Sequence, residues 1–493
     1  MQAVLSFLTR LLEGLFNRNA EKQFPWLGTA WLAGLYVAGL GLMGKFLSLG
    51  NIPMDFEDWA EITGPRLAFW KDAVMRGILP LHVSEPSVLR VGTDRFFAVP
   101  DVLASPQVVL LGFFEIGQFV LLNTLLFYSI GFIALLLLRK RFALSLVPFT
   151  VLFFLFNFNG HILSHLSIGH ANWTGYFLFP WLAWLVFQLL DSAPRGWRWP
   201  AGTALVLWLM YLQGSFHQFV WSILLLGFIA VFNWKTFLPI LKAVALGGLL
   251  SMVRILPTLA DAGKFGGEFI GGYTTLTHLA WAMILPRSPW QAVANQLALP
   301  FSTVSWWEFD LFVGLLGFLF VIGFGLIAWI KNRSNNGLYP GLLAPLLIMA
   351  ALSIGQVYKI IMALPVPLFA GERVSSRIIS LPFVFLLVLA ASEFQRWLNQ
   401  PKRTPTGWLA VLAALIIQIA DQWQYIRLWQ VSNVYPNLSH VDLDLATKVV
   451  TNHPDPAYTN LLWAGAAITL ITLLVMSFLV YRERSKPTAP IAV

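Results

Sequence analysis

The segment NIPMDFEDWAE, residues 51–61, sets Asp55, Glu57, Asp58 and Glu61 directly after the first long apolar run of a chain that holds few acids. Carboxylates at a membrane–water boundary can draw a proton from a hydroxyl or hold a divalent cation. They can equally be solvated loop residues, or cap the helix that follows. A second group lies in FAGERVSSRIIS, residues 369–380, where Arg373 and Arg377 stand four apart and would share one helix face. Two guanidiniums so placed suit a lipid phosphate or pyrophosphate, gripped through paired N–H donors. Headgroup snorkelling, or pairing with Glu372, is the plainer alternative. Arg254, in LLSMVRILP, interrupts an apolar run, where a charge is costly and normally faces a cavity or a partner. It joins the phosphate-clamp candidates.

NFNGHILSHLSIGHANW carries His161, His165 and His170. The first two have the i,i+4 spacing of a metal pair, but no glutamate completes a zincin pattern. Hydrogen bonds to backbone or substrate hydroxyls are the expected role, and no metal ligand is assigned. Glu115, in LGFFEIGQ, reads as a membrane-embedded acid, functional or paired with an arginine of another span. Trp306 and Glu308, in STVSWWEFD, join an aromatic face suited to a sugar ring with an acceptor for its hydroxyls. An interfacial aromatic belt would explain the same tryptophans. No Walker loop, GxGxxG or readable Ser-His-Asp spacing occurs, which argues against ATP-driven or cytosolic nucleotide-sugar chemistry.

The elements that must position these residues are transmembrane helices. Of 493 residues 58% are hydrophobic and only 11% charged, a balance no water-soluble domain of this length shows. Apolar runs near 26–49, 112–138, 142–158, 174–191, 200–213, 217–233, 239–258, 311–330, 338–355, 378–392, 407–421 and 461–481 predict an all-α polytopic protein of about twelve spans. Basic clusters (Arg10, Arg18 and Lys22; RKR at 139–141; KNR at 331–333; Arg482, Arg484 and Lys486) all fall on the side of the N-terminus, so the positive-inside rule puts both termini in the cytoplasm. The same rule accounts for the net charge of +9 without nucleic acid. With no cysteine, thiolate chemistry and disulfides are excluded.

Residues 1–24 read as a basic amphipathic helix on the cytoplasmic surface, with Leu5, Leu8, Leu12 and Phe16 on one stripe. Residues 25–493 read as one membrane domain whose loops 50–111, 259–308, 356–377 and 422–460 are external. Within the first of these, PRLAFWKDAVMRG predicts an interfacial helix opened by Pro65 and closed by Gly77.

The loop after the first span resembles the YfhO-like branch of the GT-C glycosyltransferases of bacteria. The likeness rests on Asp55 soon after span one, on Pro65, on Arg66 followed by RGILPLHV at 76–83, and on RFFAVPDVLASPQ at 95–107. GHANWTGYFLFPWLAWLVF (169–187) and ERVSSRIISLPFVFLLVLA (372–390) resemble that family as well. One departure is LPLHV, where relatives tend to carry Trp-Asn after LPL. The resemblance implies a GT-C-like fold in the bacterial inner membrane and transfer of a sugar from a polyprenyl-phosphate donor to an acceptor on the external face. Asp55 would be the general base, with Asp58 the second choice. Arg373 and Arg377, joined by Arg254, would neutralise the departing phosphate, and His161, His165, Trp306 and Glu308 would contact sugar or acceptor. No cofactor is firmly implied; a divalent metal stays open. Two other readings stand beside it: a transporter or flippase of lipid-linked or small polar substrates, and a non-catalytic subunit with partners in a membrane complex.

Overall fold

The structure is a computed structural model that describes residues 10–89, 92–192, 196–261, 269–288, 306–332, 339–363, 372–400 and 405–484. Among these residues it is helical throughout, and the only extended pairings are isolated bridges. Eight helices are long and apolar enough to cross a bilayer, from Pro25–Phe46 to Pro456–Glu483. A ninth is added if Trp234–Leu250 and Met252–Leu259, bent by 67° at Ser251, form one broken span. Large apolar side chains stay exposed along the outer helices: Ile416 is 67% exposed and Leu474 63%. Rows of such residues suit lipid rather than water. The chain is a polytopic helical membrane protein.

Of the about twelve expected spans, eight or nine are of full length among the described residues. Arg198–Leu212, Phe216–Phe232 and Pro340–Leu352 coincide with three of the expected runs but have fewer than the roughly 20 residues an upright crossing needs. The N-terminal segment is described from Arg10 onward. Leu5 and Leu8 lie outside the described residues, while Leu12 and Phe16 pack against Val147, Phe394, Leu398 and Leu415 at the bundle end.

One end of the bundle is basic. There Arg139 holds Glu21 through two 2.6 Å contacts, Arg141 meets Asp191 and Tyr339, and the N–H groups of Trp197 and Arg198 donate to Glu483. Both described chain ends reach this end. Arg139, Lys140 and Arg141 also occupy the last turn of Ile116–Arg141, where cations complement the helix dipole.

The opposite end carries the long connections. The helix at Gly64–Met75 has Pro65 in its first turn and is followed by Gly77 at φ +65°, as its local residues require. Its apolar face packs against the protein. Leu67, Phe69, Trp70 and Ala73 are buried, and Arg66 is enclosed with Asp101 at 3.0 Å and the Val88 carbonyl at 3.3 Å. The first and last long connections at this end are tied by the bridges Phe56↔His440 and Val83↔Val450.

Two helices form the centre of the bundle. Leu146–Ser167 and Ser375–Leu398 are 94% buried over their apolar windows, against 33% for Pro25–Phe46 and 22% for Pro456–Glu483. Both deliver polar side chains at the loop-bearing end.

Candidate functional site

The helix Gly160–Ser167 starts at Asn159, whose side chain accepts from the Ile162 N–H. It presents His161 and His165 on one face, with ring centroids 4.8 Å apart. At its end the chain turns at Gly169, φ +109°, and the His170 N–H donates back to the His165 carbonyl at 2.9 Å. Gly169 also permits a close approach: a Cβ there would strike the backbone of Asp58 and Trp59. The acidic segment is fastened at this point, Trp59 donating its indole N–H to the Ser167 carbonyl at 2.9 Å and Thr63 its hydroxyl to the Gly169 carbonyl. The outcome is an ion-pairing contact between Asp58 Oδ2 and His170 Nε2.

A chain of polar contacts runs inward from Asp58. His170 Nδ1 lies 2.6 Å from His165 Nδ1, so one proton sits between the two rings. If His170 donates Nε2–H to Asp58, its Nδ1 accepts from His165. His165 Nε2 then remains as an acceptor. It is buried without a partner, and so is His161 Nε2. Buried unpaired polar atoms are few in native proteins and ask for a reason. Trp173 stacks on His165, with centroids 4.2 Å apart and planes 2° from parallel.

Arg377 approaches from the second central helix. Its guanidinium sits 5.3 Å from the Trp173 ring centre and makes two 2.5 Å bonds to the Glu308 carboxylate. Glu308 is held in place because Ser376 donates its hydroxyl to the Glu308 carbonyl at 2.5 Å. Glu372 completes the group, accepting the Trp221 indole N–H at 2.9 Å and standing 3.0 Å from His217 Nδ1. Burial would push the Glu372 carboxyl up, but His217, Arg377 and the Val374 N–H together hold it below the usual carboxylate range. Arg377 is within electrostatic reach of Glu308, Glu372 and Asp58. The inner members are sealed, while Asp58, Arg377 and His217 keep 16%, 13% and 25% of their side chains accessible. Such a cluster can grip several hydroxyls, stack an apolar ring face and exchange a proton with a bound group.

Among the expected site residues, Asp58, His161, His165, Glu308 and Arg377 come together here. Asp55 stands apart at the rim, where Tyr435 donates to it at 2.9 Å and His440 lies 3.5 Å away. The shared face of Arg373 and Arg377 is corrected: Arg373 precedes the 3-10 turn Ser375–Ile379 in non-helical chain and is exposed. Arg254 does not join them. Its guanidinium donates to the Val99 and Val102 carbonyls at 2.6 and 3.2 Å and lies over Phe97. Trp306 is buried beneath Arg287, 5.1 Å from its ring centre, and its aromatic face is already occupied. The embedded reading of Glu115 is corrected as well. Glu115 is the N-cap of Ile116–Arg141, 78% exposed and 2.6 Å from Lys71. Reasoning from sequence missed His217, Trp173 and the pairing of Glu372, which no local spacing announces.

Two predictions arise from this packing. Gly169→Ala is expected to cost about 1–3 kcal/mol, by forcing the Asp58–Trp59 backbone away from the turn. Gly227→Ala, which meets open space, serves as the control. Thermal melts in detergent should separate the two, and equal melting temperatures would refute the close approach. The second concerns Asp310, fully enclosed beside the cluster, whose Oδ1 accepts the Phe312 N–H at 2.9 Å and whose Oδ2 accepts the Tyr425 hydroxyl. Burial raises its carboxyl to about 7, against the pull of those two bonds. A raised carboxyl gives stability that is full below the unfolded value near 4 and lost as pH climbs through about 7. Wild type should therefore lose stability relative to Asp310→Asn between pH 4 and 7.5, read as diverging melting temperatures; parallel curves would contradict an enclosed, protonated Asp310.

No family model matches the chain, and neither a curated protein nor a solved structure does.

Proposed function

We propose that this chain is a membrane glycosyltransferase that moves a sugar from a polyprenyl-phosphate donor to an acceptor hydroxyl at the loop-bearing face. The observation that carries the reading is the Asp58–His170–His165 chain, set beside a tryptophan face and ending in buried imidazole nitrogens with no partner. In this scheme the acceptor O–H loses its proton to Asp58, whose carboxylate is oriented by His170. A bond forms from acceptor oxygen to the anomeric carbon as the bond from that carbon to the phosphate oxygen breaks. Polyprenyl phosphate leaves with the electron pair. The unpartnered nitrogens of His161 and His165 take sugar hydroxyls, and Trp173 bounds the ring.

The phosphate partner in this scheme is Arg373 rather than Arg377. Arg377 is already neutralised by a bidentate carboxylate, whereas Arg373 is exposed beside the cluster. Asp55, paired with Tyr435 and His440 at the rim, supports the loop instead of serving as the base. The membrane is the bacterial inner membrane, with the basic end cytoplasmic. The three shorter helices complete twelve crossings.

The test is a reconstituted assay with a panel of polyprenyl-phosphate sugars, scoring polyprenyl phosphate release. Release that survives Asp55→Asn and is lost with Asp58→Asn supports the scheme; no release from any donor overturns it. A transporter is favoured by one feature, the 67° break at Ser251. Among the described residues that break has no counterpart in the other half, as inverted-repeat transporters would require. Counterflow of an intact lipid-linked sugar without release would select that reading.

A further inference from the structure

A separate cluster lies where the first and last external connections meet. His82, Asp94 and His453 each offer one ligand atom, and these atoms all lie within 4.8 Å of one another. The two imidazoles stack with centroids 3.8 Å apart and planes 28° from parallel. His453 Nε2 is 2.7 Å from Asp94 Oδ2. His82 is sealed from solvent, and its Nδ1 has no partner.

The backbone around these three is held from several directions. Asn452 accepts the N–H groups of Leu81 and His82 through its side-chain oxygen, each at 3.0 Å, and donates to the Leu79 carbonyl at 2.8 Å. The Thr451 N–H donates to the His82 carbonyl at 2.9 Å, and the Val83 N–H to the Asp94 carbonyl at 3.0 Å. Ligands fixed by their own backbone lose little freedom when they bind. Asp455 Oδ2 lies 3.5 Å from His82 Nε2 and is itself held by Arg95 Nε at 2.7 Å. A carboxylate behind an imidazole commonly orients a metal-bound histidine, leaving its other nitrogen for the metal. Here that other nitrogen is the one without a partner.

We propose that His82, Asp94 and His453 form a binding site for zinc or a similar borderline divalent cation, one that clasps the first external connection to the last. Two imidazoles and one carboxylate suit such a cation, while magnesium and calcium favour all-oxygen shells. Tetrahedral bonds of about 2.1 Å set ligand atoms roughly 3.4 Å apart. The accessible side chains of His453 and Asp94, 50% and 35% exposed, can shift to that spacing while sealed His82 stays in place. The fourth position is left to water. The site is independent of sugar transfer: it lies on other residues and would act as a staple.

The test is zinc titration of the purified, chelator-stripped chain in detergent, by calorimetry and by competition with a chromophoric chelator. Wild type should bind one equivalent and melt at a higher temperature with zinc than without. His453→Gln and Asp94→Asn, both at accessible positions, should melt as wild type without zinc yet bind at least about tenfold more weakly, and Asp455→Asn about 10–100-fold more weakly. His165→Gln, in the inner histidine cluster, should bind as wild type. Absence of stoichiometric binding, binding that survives His453→Gln and Asp94→Asn, loss on His165→Gln instead, or a preference for calcium over zinc would each overturn the proposal.

Discussion

Asp58→Asn is expected to lower sugar transfer by about 10²–10⁴-fold, the range a positioned general base contributes. The asparagine keeps the shape and can still meet His170, so the variant should fold. Near-normal melting together with lost turnover would separate a chemical role from a structural one. Asp55→Asn is the matched comparison, because that carboxylate faces Tyr435 and His440 at the rim. It should retain activity within a few-fold. Full activity of Asp58→Asn, with loss on Asp55→Asn, would return the base to the position the family resemblance implied and reduce the buried histidine chain to a packing feature.

Arg377→Ala should have the largest effect on stability. Arg377 and Glu308 are mostly buried and meet bidentately, so removing the cation strands a carboxylate in a site with little water. Breaking a buried pair from one side typically costs about 3–5 kcal/mol. Glu308→Gln leaves the guanidinium unmatched and should destabilise in the same direction. The double replacement Arg377→Met with Glu308→Met leaves no charge stranded and should recover most of the stability, since apolar substitutes for a buried pair are often neutral. Transfer should nevertheless stay absent in the double variant, because Glu372 and Asp58 lose the guanidinium of Arg377 that lies within their electrostatic reach. A double variant that is stable and active would show the pair to be structural. A single Arg377→Ala that melts as wild type would show that the two side chains do not hold one another in solution.

The amino-acid sequence by itself determined the class and the local backbone of this protein, and the gathering of its basic residues at one set of helix ends. Those properties follow from short-range physics: a run of about 20 apolar residues makes a span, basic residues gather at one set of ends, and proline and glycine bracket a helix. Pro65 and Gly77 do bracket the helix at Gly64–Met75, and the basic clusters that are described do share one end. Even Glu115 carried a readable signal. Gln118 follows it by three residues, and the two form a capping box that places the acid at a helix start.

Which polar residues meet was decided only by the tertiary structure, because those pairings join segments far apart in the chain. Asp58 reaches His170 through a turn that tolerates only glycine at 169. Arg377 spends its charge on Glu308 rather than on its sequence neighbours, and Glu372 turns to His217 and Trp221. His82, Asp94 and His453 converge from the first and last of the long connections at the loop-bearing end. In an apolar bundle each buried charge needs a partner, but the partner comes from whichever helix packs alongside, and hydropathy is silent about that choice.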